Sequence, residues 1–293
     1  MSEARPDSDR PALVRLDALL AARGLAKSRT AAVKLIQGGR VTVDGAAVLK
    51  ASAPVRENAE LAVDTDDDWV SRAAVKLLAA LDEFGVDVRG RVALDVGAST
   101  GGFTQVLLIR GADRVVALDV GHGQLDPRIA RDDRVVVVEG VNARNLTAAE
   151  YLAVDPSAAS TSLVVGDLSF ISLRLVLPAL AEAVPADEYV LLVKPQFEVG
   201  RSGVREGIVH DAGLREDAVM NVLWAAWDIG FGTGGVAASP ILGTHGNHEY
   251  VIRLVRATGS GGRTSGRAGT NPTEWISRVN ALTREQAPAR GTR

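Results

Sequence analysis

The stretch VALDVGASTGGFT (residues 92–104) constrains the fold more than any other part of the chain. An apolar strand ends around Asp95 and runs into Gly97, Gly101 and Gly102. A strand that opens into a glycine-rich turn and then a helix is the first βα turn of a doubly wound fold, and ligands bind in its crevice. Glycines there let the backbone turn sharply and approach a ligand closely. Further apolar runs follow: VVALDV (115–120), VVVVE (135–139), LVV (163–165) and EYVLLV (188–193). A helical stretch over about 71–84 precedes the first strand, and a long one over about 211–229 leads to two late strands, near 232–240 and 249–256. Apolar runs alternating with helices predict an α/β body with a mostly parallel, Rossmann-like sheet covered on both faces.

The ligand is narrowed by what the turn lacks. A dinucleotide fingerprint would need glycine at position 99, where Ser99 stands, and the Gly-Lys-Ser/Thr of a P-loop is missing. This disfavours NAD and ATP and leaves a nucleoside without a pyrophosphate. Asp119 closes the second strand, 22 residues after Gly97, where a carboxylate can hold ribose hydroxyls. A glycine-rich turn with no ligand at all is the plain alternative.

Charge divides the chain. Residues 1–60 carry 10 Lys/Arg and 7 Asp/Glu, residues 61–256 carry 17 and 27, and residues 257–293 carry 6 and 2. A basic head on an acidic body suits a polyanionic partner, although a solvated basic surface has the same composition. The absence of cysteine excludes a disulfide scaffold, a thiolate nucleophile and cysteine-ligated metal; no metal is assigned. The polar start is not a secretory signal, and no run of 18 or more uncharged apolar residues exists. The expectation is a soluble protein of the cytoplasm.

The expected division is a disordered leader (1–10), a small α+β module (11–63), a charged connector (64–70), the α/β body (71–257) and a flexible C-terminal extension with a short helix (258–293). In the module, Leu16, Leu19 and Leu20 fall at helical spacing and Gly24 ends that helix. Ser28 is the N-cap of a second helix that stops at Gly38 and Gly39, and VTVDGAAVL reads as a hairpin turning at Asp44-Gly45. In the connector, Trp69 and Val70 are placed to pin the two domains together.

The strand–turn–helix and Asp119 together resemble the first two motifs of S-adenosylmethionine-dependent methyltransferases. That resemblance implies a cofactor site in which Gly97, Ser99, Gly101 and Phe103 line the methionine side, with Asp95 and Gly102 beside them. Asp119 would hold the ribose, and Asn142 in GVNARNL (140–146) would lie near the adenine. Asp167 follows the fourth strand in VVGDLSFISL and Lys194 follows the fifth in LLVKPQFE, both at carboxyl ends where crevices form. A lysine ending so apolar a strand is partly desolvated, which suits a base. Taken alone, it is an ordinary strand-end lysine. Methylation of a base amine uses D/N-P-P-Y/F after the fourth strand; Asp167-Leu168-Ser169-Phe170 departs from it and favours an oxygen acceptor.

Lys76 in SRAAVKL, Asp167, Lys194 and Glu249 in GNHEY resemble the Lys-Asp-Lys-Glu set of the FtsJ-like ribose 2′-O-methyltransferases. The domain order resembles the TlyA (hemolysin A) family of rRNA 2′-O-methyltransferases over about residues 12–256. The resemblance implies that Lys194 is the general base, that Asp167 and Glu249 set its charge state and that Lys76 helps position the ribose. The family linker Arg-Ala-Trp-Val is Asp67-Asp68-Trp69-Val70 here, so the aromatic is kept and the arginine is not. Residues 15–45 resemble the alpha-L RNA-binding motif, which implies that Arg15, Arg23, Lys27, Ser28, Arg29, Lys34 and Arg40 meet ribosomal RNA or ribosomal subunits, chiefly through phosphates. Two other readings stay open, a methyltransferase with another RNA or protein acceptor and a non-catalytic RNA-binding protein, and a third is a membrane-lytic toxin, which fails physically. The last lacks a spanning segment or a suitable amphipathic helix.

Overall fold

In the computed structural model the described residues are 13–26, 28–63, 69–200, 203–243, 245–256 and 269–285, with the side chain of Lys34 excepted. The leader at 1–10, Lys27, the acidic connector 64–68 and most of the glycine-rich segment (257–268) lie outside them. The chain divides into two compact units, with the boundary between Arg72 and Ala73.

The head runs β1 (Leu13–Arg15), α1 (Leu16–Ala22), α2 (Arg29–Gln37), β2 (Val41–Val43), β3 (Ala46–Ala47), β4 (Pro54–Arg56) and β5 (Leu61–Val63). Leu16, Leu19, Leu20, Ala32, Ile36, Val41 and Val55 form its core. Gly24 has φ +70° just after α1, and Ser28 Oγ accepts from the Ala31 N–H at 3.1 Å at the start of α2. β2 and β3 form the expected hairpin, and Asp44 and Gly45 both take positive φ, the conformation of a type I′ turn. β5 pairs with the other edge of β2, and β1 pairs with β4 in a separate ribbon.

The body begins with α3 (Ala73–Phe84) and then alternates: β6 (Val92–Val96), α4 (Gly102–Ile109), β7 (Arg114–Asp119), α5 (Pro127–Ala130), β8 (Val135–Glu139), α6 (Ala148–Ala153), β9 (Thr161–Gly166), α7 (Leu173–Ala183), β10 (Glu188–Val193), α8 (Pro195–Glu198), α9 (Ala212–Asp228), β11 (Phe231–Ala238) and β12 (Tyr250–Arg256). Seven strands form one sheet in the order β11-β12-β10-β9-β6-β7-β8. Among them β12 alone runs opposite to the other six. Neighbouring residues such as Ala93 and Leu94 point to opposite faces and are both fully buried, so both faces are covered. The order reverses at β6, which pairs with β7 on one side and β9 on the other, and this switch point fixes where a crevice opens.

Within the C-terminal extension the described residues are 269–285, and they hold a short helix as expected. Thr270 and Thr233 exchange backbone hydrogen bonds at 2.9 Å on the free edge of β11. A 3-10 turn (Pro272–Trp275) leads into α10 (Ile276–Glu285), whose Val279 and Leu282 join the core of the body. Buried Arg215 on α9 donates to Thr283 O at 2.7 Å.

Candidate functional site

A cavity of about 480 Å³ opens at the carboxyl ends of β6, β7 and β9, within the range of small-molecule sites. Gly97, Ser99, Asp119 and Asn142 line one part of it, and Asp167, Leu168, Ser169 and Phe170 another. The turn is shaped by steric need. Gly97 has φ +80°, and a Cβ there would lie 3.1 Å from Leu168 Cδ2 and 3.3 Å from Asp167 O, pressing on the loop after β9. Ser99 takes φ +48° without being glycine. Its N–H donates to Asp119 Oδ2 at 2.8 Å, while the Gly121 N–H donates to Oδ1 at 2.7 Å. Asp119 therefore holds two turns together and has its second lone pairs left for a ligand.

Other expected cofactor residues sit elsewhere. Gly101, Gly102 and Phe103 are not among the lining residues, and Phe103 is buried in α4. Asp95 is fully buried behind the turn. Its Oδ2 accepts from Thr104 Oγ1 at 2.6 Å, Oδ1 has no protein partner, and burial pushes its pKa up to about 7 against the pull of Thr104. Asn142 Oδ1 accepts from the Arg144 N–H at 3.1 Å, leaving its amide nitrogen for the cavity.

The four charged residues form a chain. Lys76 Nζ lies 2.5 Å from Glu249 Oε2 and 3.8 Å from Asp167 Oδ2. Lys194 Nζ lies 2.6 Å from Asp167 Oδ1 and donates to Ser169 Oγ at 2.7 Å. Lys76 and Glu249 are buried, 5% and 3% exposed, so they stand behind Asp167. Signs alternate along Glu249, Lys76, Asp167 and Lys194, which compensates charges that would be costly to bury singly. Two residues beyond the expected set complete the mouth. Ser169 accepts from Lys194, and Phe170, 91% exposed with φ +65°, packs its ring 5.3 Å from Phe197 at 47°. A strained, solvent-facing phenylalanine costs free energy that burial does not repay, as functional sites allow. The aromatic alone carried no signal of this in the sequence.

In the head, Arg15 and Arg29 both bond Asp17, and Arg23 donates to Ala59 O at 2.7 Å and to Glu57 O. Arg23 thus ties the end of α1 to the β4–β5 connection. Ser28 is exposed at the start of α2, and Arg40 is half-buried.

Residues 69–256 match the FtsJ-like methyltransferase family and residues 14–61 the S4 domain. The chain is 49% identical to the 16S/23S rRNA (cytidine-2′-O)-methyltransferase TlyA of Mycobacterium tuberculosis, over 82% of this chain and 89% of the relative. It is 38% identical to Hemolysin A of Brachyspira hyodysenteriae, over 83% of this chain and all of the relative. A solved structure designated a hemolysin, from Streptococcus thermophilus, superposes with a TM-score of 0.68 at 34% identity, covering 94% of this chain and 98% of that one. Despite that designation, no helix among the described residues is long and apolar enough to cross a membrane. A body with the FtsJ-like topology and an S4 head, alike over most of both chains to these relatives, places this chain in the TlyA family of FtsJ-like methyltransferases.

Proposed function

We propose that this protein transfers a methyl group from S-adenosylmethionine to a ribose 2′-hydroxyl of ribosomal RNA, with cytidine as the nucleotide, working with ribosomal subunits in the cytoplasm. The observation that carries the reading is that one cavity is shared: Asp119 lines it on one side, and Asp167, which pairs with Lys194, lines it on the other.

The cofactor fits on this structure's own terms. The glycine at 97 keeps the wall open, Asp119 offers lone pairs to ribose hydroxyls, and the Asn142 amide faces the same space. Bound there, S-adenosylmethionine supplies a methyl group on a sulfonium, a strong leaving group. What remains for the protein is alignment and a proton. Lys194 Nζ, next to Asp167 and Ser169, takes up the proton of the 2′-hydroxyl in its uncharged amine form as that oxygen attacks. The ammonium that forms faces Asp167 at 2.6 Å. Lys76, pinned by Glu249, holds Asp167 from behind and so helps position the ribose through it. Phe170 offers a ring face at the mouth on which the target base can stack. The head grips RNA phosphates.

The test compares the parent with Lys194→Ala. The variant should bind S-adenosylmethionine by isothermal titration as the parent does, yet transfer tritiated methyl to ribosomal subunits at least about a hundredfold more slowly. Nuclease digestion and mass spectrometry should find the parent's methyl on a cytidine ribose. Undiminished transfer by the variant removes Lys194 from the base role, and a methyl on a base amine removes the ribose assignment.

A further inference from the structure

Asp17 is an acid in the middle of the basic head, and it is 3% exposed. Arg15 grips it with two bonds, Nε to Oδ1 at 3.0 Å and Nη2 to Oδ2 at 2.9 Å. Arg29, the first residue of α2, donates from Nη2 to the same Oδ2 at 3.2 Å. The Ala18 N–H donates to Oδ1 at 2.8 Å. The guanidiniums, Arg15 foremost, hold the Asp17 carboxyl well below the usual carboxylate range. The arginine side chains remain 52% and 60% exposed, so they face solvent around a buried anchor.

Ion pairs with partners this exposed return little stability, while a buried carboxylate costs free energy. The arrangement does something else well. It fixes two long, flexible side chains from different elements on one oxygen, which puts their Nη2 atoms within about 6 Å of each other. Each guanidinium keeps N–H donors that Asp17 does not use. Two forks at that separation can share the oxygens of a single phosphate.

We propose that Asp17 is a positioning residue that joins Arg15 and Arg29 into one pincer for an RNA backbone phosphate. The inference rests on reading the head as the RNA grip, and it makes a prediction opposite to simple charge counting. Removing an acid from a basic surface should tighten RNA binding by ordinary electrostatics. If Asp17 orients the arginines, removing it weakens binding, because both side chains must then be ordered at the moment of contact.

The experiment measures the full-length protein's affinity for a fluorescently labelled RNA hairpin of mixed sequence at fixed salt. Asp17→Asn should bind about five- to tenfold more weakly than the parent. In an Arg15→Gln/Arg29→Gln background, which itself binds more weakly, the same change should cause no further loss. Equal or tighter binding by Asp17→Asn overturns the proposal. Equal weakening in both backgrounds also overturns it, since Asp17 would then act on the fold alone. Parent-like binding by the double glutamine variant overturns both the pincer and these two arginines' part in the grip. If Asp17→Asn loses its cooperative melt, Arg15→Lys/Arg29→Lys decides: it keeps the charge and loses the fork, so about fivefold weaker binding supports the pincer and unchanged binding overturns it.

Discussion

Gly243 lies beside the carboxylate that anchors the buried end of the charged chain. A Cβ there would fall 2.5 Å from Glu249 Oε1 and 3.1 Å from its Cδ. The displaced group is the free end of a flexible side chain, so Gly243→Ala should leave the fold intact while pushing Glu249 off Lys76. The expected result is at least a tenfold loss of methyl transfer with a melting temperature within a few degrees of the parent, read by tritium incorporation and thermal melting. Asp95 gives a second residue-scale outcome, through pH. Its pKa, raised to about 7 by burial, lies above the usual carboxylate value. The folded state therefore holds the proton longer than the unfolded chain, and stability falls as pH rises from about 4 to about 7, with the full cost present above that. Asp95→Asn cannot ionise, so its gain in unfolding free energy over the parent, read by melting, should grow between pH 5 and pH 8, on the order of a few kcal/mol at the upper end. A gain independent of pH would mean that Asp95 does not titrate in that window. Neither residue's part could be read from the sequence. Glu249 and Lys76 stand 173 positions apart, and only the fold sets them 2.5 Å from each other. The family resemblance named both residues but set Glu249 on the charge state of Lys194, whereas the fold puts it on Lys76; the steric debt of Gly243 is a distance and leaves no pattern.

The elements that carry Asp167 and Lys194 are two βα connections, and the structure clips them together three times. Ser169 meets Lys194, Phe170 meets Phe197, and Glu198 on α8 reaches the start of α7, accepting from Ser172 Oγ at 2.5 Å and from the Leu173 N–H at 2.7 Å. Glu198 is buried, and burial raises its pKa against those bonds. Glu198→Gln replaces one acceptor oxygen by an N–H₂ facing a donor, a loss of about 1–3 kcal/mol. Because the clip lies between the loops that carry Asp167 and Lys194, the proposed base role of Lys194 predicts that kcat falls several-fold while S-adenosylmethionine affinity stays near the parent's; steady-state kinetics and titration calorimetry separate the two. A loss of cofactor affinity with unchanged kcat would place Glu198 outside this linkage. At this scale the sequence was informative about kind and less so about order. Alternating apolar runs announced the parallel strands, and Asp44-Gly45 announced its hairpin. The insertion of antiparallel β12 between β10 and β11 was not legible, because strand order is decided by how connections cross the sheet. A short helix in the C-terminal extension was expected, but the pairing of Thr270 with Thr233 was not legible, since backbone bonds leave no mark in side-chain pattern.

As a whole, the molecule joins a head with its own core to a body with its own core and cavity. Each core gathers residues from its own unit, so removing one unit leaves the other's apolar contacts in place. The charge asymmetry assigns the tasks: the net +3 of residues 1–60 suits phosphates, and the net −10 of residues 61–256 repels them. A body without the head should therefore keep its ligand and lose its substrate. Removing residues 1–60 should leave S-adenosylmethionine binding by titration within about twofold of the full chain, because the cavity residues lie between 96 and 176. Methyl transfer to ribosomal subunits should fall below detection, and excess substrate should restore only part of it, since the acidic body must approach a polyanion unaided. The full chain's affinity for RNA should drop steeply as salt rises, as expected when bound counterions are released, and the truncated chain's residual affinity should respond far less. Undiminished transfer by the truncated chain would move the grip to the body and leave the head another role. Loss of cofactor binding on truncation would instead show that the body's cavity depends on the head for its shape.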